Sequence, residues 1–93
     1  LRSAPTPLHV AANADDVDAL GRLLADPGTR VDAPDALGRT ALQVAVAAAN
    51  VRPVRLLLAA GADPDHADAS GATPRSVART GANAEIATLL AAR

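Results

Sequence analysis

The residues of this chain that could bind a metal ion gather around one histidine in its second half. His66 lies within the segment 63–68, which also contains three aspartates. Imidazole and carboxylate groups are common ligands of divalent metal ions. A calcium-binding loop that begins at residue 63 needs oxygen ligands at its fifth and twelfth positions, where this chain has Ala67 and Pro74. Because these ligands are missing, we interpret the aspartates as turn-forming residues and predict no metal site and no cofactor.

Patterns that position a catalytic nucleophile are also missing from the sequence. The chain has no cysteine, and Ser3, Ser70 and Ser76 stand outside any G-x-S-x-G sequence. It has no glycine-rich loop of the kind that holds the phosphates of a nucleotide. We therefore predict that the chain is not an enzyme.

The charge of the chain is nearly balanced and evenly distributed. Nine arginines face nine aspartates and one glutamate, for a formal net charge of -1. Such a balance provides no basic surface for nucleic acid or for an anionic membrane, so neither is an expected partner. The sequence also has no secretory signal and no apolar run long enough to span a membrane. The cytoplasm is therefore the default expectation for its location.

The apolar residues are mostly small. Hydrophobic residues make up 49% of the chain, yet none is aromatic and 25 are alanine. Alanine has the highest helix propensity and allows helices to approach closely. This composition favours a protein built from closely packed helices.

An internal repeat organises these helices. The segment 6–11, with the sequence TPLHVA, recurs as TALQVA at 40–45 and as TPRSVA at 73–78, at spacings of 34 and 33 residues. A second block keeps the same spacings, because residues 20, 23 and 24 correspond to 54, 57 and 58 and then to 87, 90 and 91. A period of this length is typical of stacked structural repeats.

Each copy of the repeat predicts a pair of helices. A threonine N-cap opens the first helix near residues 7, 41 and 74, and the second block has the spacing of a helix with one buried side. The acidic run 15–18 is expected to cap the second helix of the first copy. Gly61 is expected to end the second helix of copy two in a left-handed conformation, and Pro27 with Gly28 to do the same in copy one.

With these motifs the chain resembles the ankyrin repeat family, whose repeat is a β-turn followed by two antiparallel helices. The resemblance rests on Leu8 to Ala12, on Leu57 and Leu58, and on the segment 61–63. It implies an all-α ankyrin-repeat solenoid of stacked helix-turn-helix pairs joined by finger loops. We expect a single domain over 1–93, with repeats at about 1–34, 35–67 and 68–93, that is a piece of a longer protein. The residues assigned to the repeat motif are Thr6, Pro7, Leu8, His9, Thr40, Leu42, Thr73, Pro74, Gly38, Gly61 and Gly71.

The two ends of the predicted stack differ. Arg75 and Arg79 replace the apolar residues of the other copies, which predicts that they face water and that copy three is a C-terminal cap. At the other end, Leu8 and Leu20 are expected to pack on something that precedes them.

The resemblance also implies the function. Ankyrin repeats bind partner proteins through their loop tips and the exposed face of their inner helices, and the family uses a histidine at the position of His9 to link adjacent loops. The expected partner-binding residues are Leu37, Arg39, Asp35, His66, Asn13, Ala47, Ala48, Ser70 and Thr80, together with Arg2, Ser3 and Pro5 of copy one. We predict a monomeric, non-catalytic protein-binding scaffold. The alternatives are a recruiting or regulatory module of a larger enzyme or toxin-like protein, and a structural spacer.

Overall fold

A computed structural model describes residues 6–81 and 83–92, which form six short helices. The first helices of the three copies are α1 (Pro7–Asn13), α3 (Ala41–Ala47) and α5 (Pro74–Thr80), and we call them the inner helices. The second, or outer, helices are α2 (Val17–Ala25), α4 (Val51–Ala59) and α6 (Ala84–Ala91). No strand occurs in these two ranges.

The helices pack as three pairs stacked side by side. Each inner helix contacts the outer helix of its own pair, and α1 also contacts α3, which in turn contacts α5. The outer helices follow the same order, because α2 contacts α4 and α4 contacts α6. The all-α stack of helix-turn-helix pairs predicted from the period is therefore confirmed.

The threonines begin the inner helices as predicted. The hydroxyl oxygens of Thr6, Thr40 and Thr73 accept hydrogen bonds from the backbone amides three residues later. In α1 and α5 proline occupies the first helical position, where its missing N–H costs nothing. The N-capping role of the acidic run falls to Asp16, whose carboxylate accepts a hydrogen bond from the amide of Ala19 at 3.1 Å.

The outer helices end in two different ways. Gly61 follows α4 with φ of 92°, so the predicted left-handed residue is confirmed. The corresponding prediction for Gly28 is wrong, because the residue after α2, Asp26, is extended and Gly28 does not have a positive φ. Here the Thr29 hydroxyl donates to the carbonyl of Leu23 at 2.5 Å, which satisfies a terminal carbonyl without a left-handed residue.

Each helix pair has two sides along the stack, which we name by their direction along the chain. The leading face carries the residues at the positions of Pro7, Ala11, Ala19 and Leu23. In the second and third pairs all eight residues of the leading faces are buried. They are Ala41, Ala45, Pro53 and Leu57 in the second pair and Pro74, Ala78, Ile86 and Leu90 in the third.

The trailing face carries the residues at the positions of Leu8, Ala12, Leu20 and Leu24. Leu8 and Leu20 are 4% and 0% exposed within the described stack, so the expectation that they await a preceding segment is wrong. They belong to the side of the first pair that the second pair covers. A shared crevice shows the same arrangement further along the stack, because Val46 of the second trailing face lines it together with Ala78 and Ile86 of the third leading face.

The trailing face of the third pair is polar or small. Arg79 is exposed, as predicted, and Arg75 is only partly exposed. The guanidinium of Arg75 donates to the carboxylate of Asp65 at 2.7 Å and to the carbonyl of Leu90. The two remaining positions hold Ala87 and Ala91, so this face offers little apolar area to a further repeat.

Among residues 6–81 and 83–92, two residues other than glycine have a positive φ, and they occupy the same position in two pairs. Asp15 has φ of 56° and Ala49 has φ of 60°, each in the turn between an inner and an outer helix. The left-handed region costs an alanine about 1 kcal/mol because its Cβ approaches the carbonyl oxygen, whereas glycine has no Cβ.

We predict that Ala49→Gly raises the free energy of unfolding by about 0.5–1 kcal/mol, because glycine adopts this conformation without steric cost. The measurement is urea denaturation followed by circular dichroism. Ala47→Gly is the matched control, since residue 47 is also exposed but lies in α3, and we expect it to lower the stability by up to about 1 kcal/mol. A loss of stability in both variants would contradict the prediction.

Candidate partner-binding surface

The finger loops are built around two aspartates at equivalent positions, Asp35 and Asp68. In the first loop the Asp35 carboxylate accepts hydrogen bonds from the amides of Leu37 and Arg39 and from Nε of Arg39, each at 2.9 Å. The backbone N–H of Asp35 donates to the carbonyl of Arg39, which closes the loop. Gly38 completes the turn with φ of 77°. This network fixes the conformation from which Leu37 projects.

The second loop repeats this design with different donors. The Asp68 carboxylate accepts from the amide and hydroxyl of Ser70, from the amide of Ala72 and from the side-chain amide of Gln43, at 2.7–3.0 Å. The amide of Ala69 donates to the carbonyl of Leu37 at 2.9 Å, so the two loops are joined directly. The loops therefore form one continuous ridge along the stack.

These hydrogen bonds lower the pKa of both carboxyl groups. Burial raises the pKa of Asp35, but the backbone amides of Arg39 and Leu37 and the Arg39 guanidinium together lower it below 3.8. At Asp68 the Ser70 hydroxyl has the largest effect, and with Gln43 and the backbone amides it lowers the pKa to about 2. Both aspartates are therefore charged acceptors that hold the loops in shape at neutral pH.

A polar residue on each of the first two inner helices connects the helix to the next loop. His9 Nε2 donates to the carbonyl of Arg39 at 2.6 Å, while its Nδ1 accepts from the amide of Thr6 at 3.2 Å. This confirms the linking role that the resemblance implied for His9. Gln43, at the same position of the second pair, reaches Asp68 instead. Ser76 of the third pair bonds only within its own helix cap, to Thr73.

The glutamine link is less complete than the histidine link. Gln43 is 4% exposed, and its Oε1 atom is buried without a hydrogen-bond partner. A buried polar atom without a partner costs about 1–3 kcal/mol. The imidazole of His9 leaves no such atom, because both of its nitrogens are engaged.

A shallow groove lies between the finger loops and the inner helices. Its volume is about 360 Å³, and it is lined by His9, Val10, Asn13, Asp35, Arg39 and Val44. The Arg39 side chain is 43% exposed and presents a positive group beside the apolar valines. This combination suits a polypeptide surface that has apolar and polar groups side by side.

The structure distributes the predicted contact residues unevenly. Asn13 and Arg39 line the groove, and Leu37 is 57% exposed in the same finger loop as Arg39. Ala47, Ala48, Ser70 and Thr80 are exposed further along the inner helices and the loops, and His66 is partly exposed between α4 and α5. Arg2, Ser3 and Pro5 lie outside the described residues.

Asp35 does not belong to the exposed part of this surface. Its side chain is 4% exposed, and its oxygens are occupied by Leu37 and Arg39. We therefore remove Asp35 from the set of direct contact residues and assign it to the support of Leu37 and Arg39. An aspartate in a turn is expected to bond its own backbone in this way.

Val10 lines the groove, although the sequence analysis did not include it among the contact residues. It is 58% exposed on α1, although valine is among the residue types most often buried. A signal was present, because valine recurs at the equivalent positions 44 and 77. The three valines occupy equivalent positions of the three inner helices. The contact residues that the sequence predicted on these helices are instead asparagine, alanine and threonine, at other positions.

The aspartates around His66 are engaged in turns and in an ion pair. Among residues 6–81 and 83–92, no three side chains of histidine, aspartate or glutamate lie together as a metal-binding group. The Asp63 carboxylate accepts from the amide of Asp65, whose own carboxylate is paired with Arg75. Asp68 is occupied by the finger loop.

We predict that part of the acid sensitivity of this protein comes from Asp68. Its folded-state pKa of about 2 lies below the ordinary value of 3.8, so its stabilising contribution is complete above about pH 4 and is lost as the pH falls through 2. In Asp68→Asn this part of the decline should disappear and the stability at neutral pH should be lower. The measurement is urea denaturation at pH 2 to 7, with Asp18→Asn on the outer helix α2 as the control for removing one negative charge. Identical pH profiles for the native chain and Asp68→Asn would contradict the assignment.

We also predict that Gln43→His stabilises the chain by about 1 kcal/mol, because it removes the unpaired Oε1 atom and allows the ring to bond the carbonyl of Ala72. The reciprocal change His9→Gln is expected to destabilise by a similar amount. Thermal unfolding of the two variants and the native chain tests the pair, and a more stable His9→Gln variant would show that the link does not work as described.

Comparison with known proteins agrees with this geometry. The family profile described as ankyrin repeats in three copies matches residues 2–68. The mitochondrial disaggregase of Bos taurus is 48% identical over 58 residues, which is 62% of this chain and 8% of that protein. The nuclear factor NF-kappa-B p105 subunit of Mus musculus is 38% identical over 63 residues, which is 68% of this chain and 6% of that protein. The chain thus spans less than a tenth of these relatives. With its repeated helix pairs and linked finger loops, it belongs to the ankyrin repeat family.

Proposed function

We propose that this chain is a non-catalytic module that binds a partner protein through the groove between its finger loops and inner helices. The observation that carries the proposal is the exposure of Val10 and Leu37, the two large hydrophobic residues that the described part of the chain leaves most open to solvent. Val10 lines this groove together with Arg39, whose side chain is 43% exposed, and Leu37 lies two residues before Arg39 in the same finger loop.

The rigid finger loop and the general role of ankyrin repeats both support a binding function. The loops that carry Leu37 and Arg39 are held by internal hydrogen bonds, so little conformational entropy is lost when a partner binds them. Arginine is among the residue types enriched at interface centres, and the Arg39 side chain is 43% exposed at the groove. Ankyrin repeats in general act as protein interaction modules.

The two relatives described above favour a second version of this binding role, in which the chain is part of a larger protein. In them the matching segment is 8% or 6% of a much longer protein. The chain would then recruit or regulate a larger protein whose activity lies in another domain. The groove described above would serve in either version.

None of the helices in the described ranges has the length and hydrophobicity of a membrane span. The monomeric state and the cytoplasmic location remain predictions.

Site-specific photocrosslinking tests this proposal. A photoreactive amino acid replaces Val10 in one variant, Leu37 in a second and Ala25 in a third, and the chains are expressed in the source cells. We expect the same protein to be captured from positions 10 and 37 and not from position 25, which is exposed on the outer helix α2. Capture from Ala25 alone, or from none of the three positions, would refute the proposed surface.

Affinity measurements with the captured protein then determine the contribution of the anchors. The double variant Val10→Ser plus Leu37→Ser is expected to lose about 2 kcal/mol of binding free energy or more, if these are the central contacts of the interface. The matched control is Arg22→Ser plus Arg52→Ser, which removes two exposed side chains from outer helices. An equal loss in both double variants would count against the groove.

A further inference from the structure

The groove between the finger loops and the inner helices presents an exposed positive charge to a partner. Two of its polar residues, His9 and Asp35, are engaged in hydrogen bonds within the chain. The Asp35 side chain is only 4% exposed, and its oxygens accept three hydrogen bonds. Among the described residues that line the groove, the charge open to solvent is therefore that of Arg39.

The Arg39 guanidinium has one edge that the chain does not use. A guanidinium carries five N–H groups, and the one on Nε donates to Asp35 at 2.9 Å. Within residues 6–81 and 83–92 the two Nη atoms make no hydrogen bond or ion pair. The bond from Nε to Asp35 also restrains the side chain, so less entropy is lost when the Nη edge binds a partner.

Carboxylates are placed away from this side of the stack. The inner helices have the sequences PLHVAAN, ALQVAVA and PRSVART, which contain no aspartate or glutamate. Of the other acidic residues, Asp16, Asp18 and Glu85 lie at the starts of outer helices. A negatively charged group that approaches Arg39 therefore meets no carboxylate on the inner helices, and the nearby Asp35 charge is already balanced by its own donors.

We propose that the partner segment bound in this groove carries an aspartate or glutamate next to an aliphatic residue. This inference rests on the function proposed above and specifies its partner. The partner carboxylate accepts from the two Nη atoms of Arg39, in the bidentate pairing that suits a planar guanidinium. The aliphatic side chain packs on Val10, which is 58% exposed, and on Val44, which lines the same groove.

The first test uses random peptides displayed on phage and selected on the native chain. Each enriched peptide is then tested on the double variant Val10→Ser plus Leu37→Ser, and the peptides that lose binding are defined as groove ligands. We expect aspartate or glutamate next to leucine, isoleucine or valine to be more frequent among the groove ligands than in the starting library.

A double-mutant cycle then locates the carboxylate contact. One groove ligand, and its variant with the acidic residue replaced by the corresponding amide, are titrated against the native chain and against Arg39→Gln. We expect the amide variant to bind the native chain at least about tenfold more weakly, the size of one charge-assisted hydrogen bond. On Arg39→Gln both peptides should bind equally. A change in loop shape alone would weaken both peptides alike and preserve the tenfold difference.

Arg52→Gln is the matched control. It removes an exposed arginine of the outer helix α4 whose guanidinium also lies near an aspartate, at 4.0 Å from Asp15. Because residue 52 is remote from the groove lining, this variant should retain the tenfold difference between the two peptides.

Groove ligands without an acidic residue, or a tenfold difference that persists in Arg39→Gln, would overturn the inference. So would a selection that yields no peptide dependent on Val10 and Leu37. The photocrosslinking experiment decides the proposed function separately, because it captures a partner of any charge. Capture at positions 10 and 37 together with neutral or basic groove ligands would leave that function standing and refute the acidic partner alone.

Discussion

The structure depends on the burial of the second and third leading faces, each against the trailing face of the pair before it. The inner helices have only seven residues, about two turns, and helices this short are not stable alone in water. Two helices in one pair are also too few to enclose a core. Leu20, Leu42, Leu57 and Ile86 are each at most 2% exposed only because adjacent pairs meet. Stability and the position of the finger loops follow from this one contact, repeated along the chain.

The hydrogen bonds at the loops add direction to this packing. Apolar faces alone would allow neighbouring pairs to slide, because contacts between small side chains have little orientation. His9 and Gln43 bind atoms of the following loop, and Asn50 donates to the carbonyls of Ala12 and Asn13 on the preceding inner helix. These bonds fix the register between pairs, and Ser76 makes no such bond to a following loop.

Fixed register is what turns a stack into a recognition surface. Because Asp35 holds its own loop and the next loop bonds the carbonyl of Leu37, the loop tips occupy defined positions relative to the inner helices. Val10 and Leu37 are 27 residues apart in sequence, yet Val10 lines one groove with Asp35 and Arg39 of the loop that carries Leu37. The polar side chains of His9 and Asp35 at the groove are engaged in hydrogen bonds that maintain the shape of the loops.

The sequence by itself determined the helix pairs, their order and the ends of most helices. These features are local: a threonine cap, a proline at the first helical position and a period of three to four residues act within one copy of the repeat. The repeat period then required that consecutive copies stack, and His9 was assigned its link through the family resemblance. Gly28 was the local exception, because Thr29 supplied a hydroxyl that replaced the expected left-handed glycine.

Only the tertiary structure decided which face each apolar side chain occupies. Leu8 and Pro7 are adjacent in sequence and both are compatible with an interface, but they lie on opposite sides of the first helix pair. Leu8 is buried on the side that the second pair covers, and Pro7 is exposed on the other side. In the same way, the sequence predicted both Asp35 and Arg39 as exposed loop residues. In the folded loop the Asp35 carboxylate is buried, whereas Arg39 stays partly exposed. Burial depends on atoms contributed by another copy of the repeat, more than 30 residues away, and a local sequence pattern contains no record of their distance or direction.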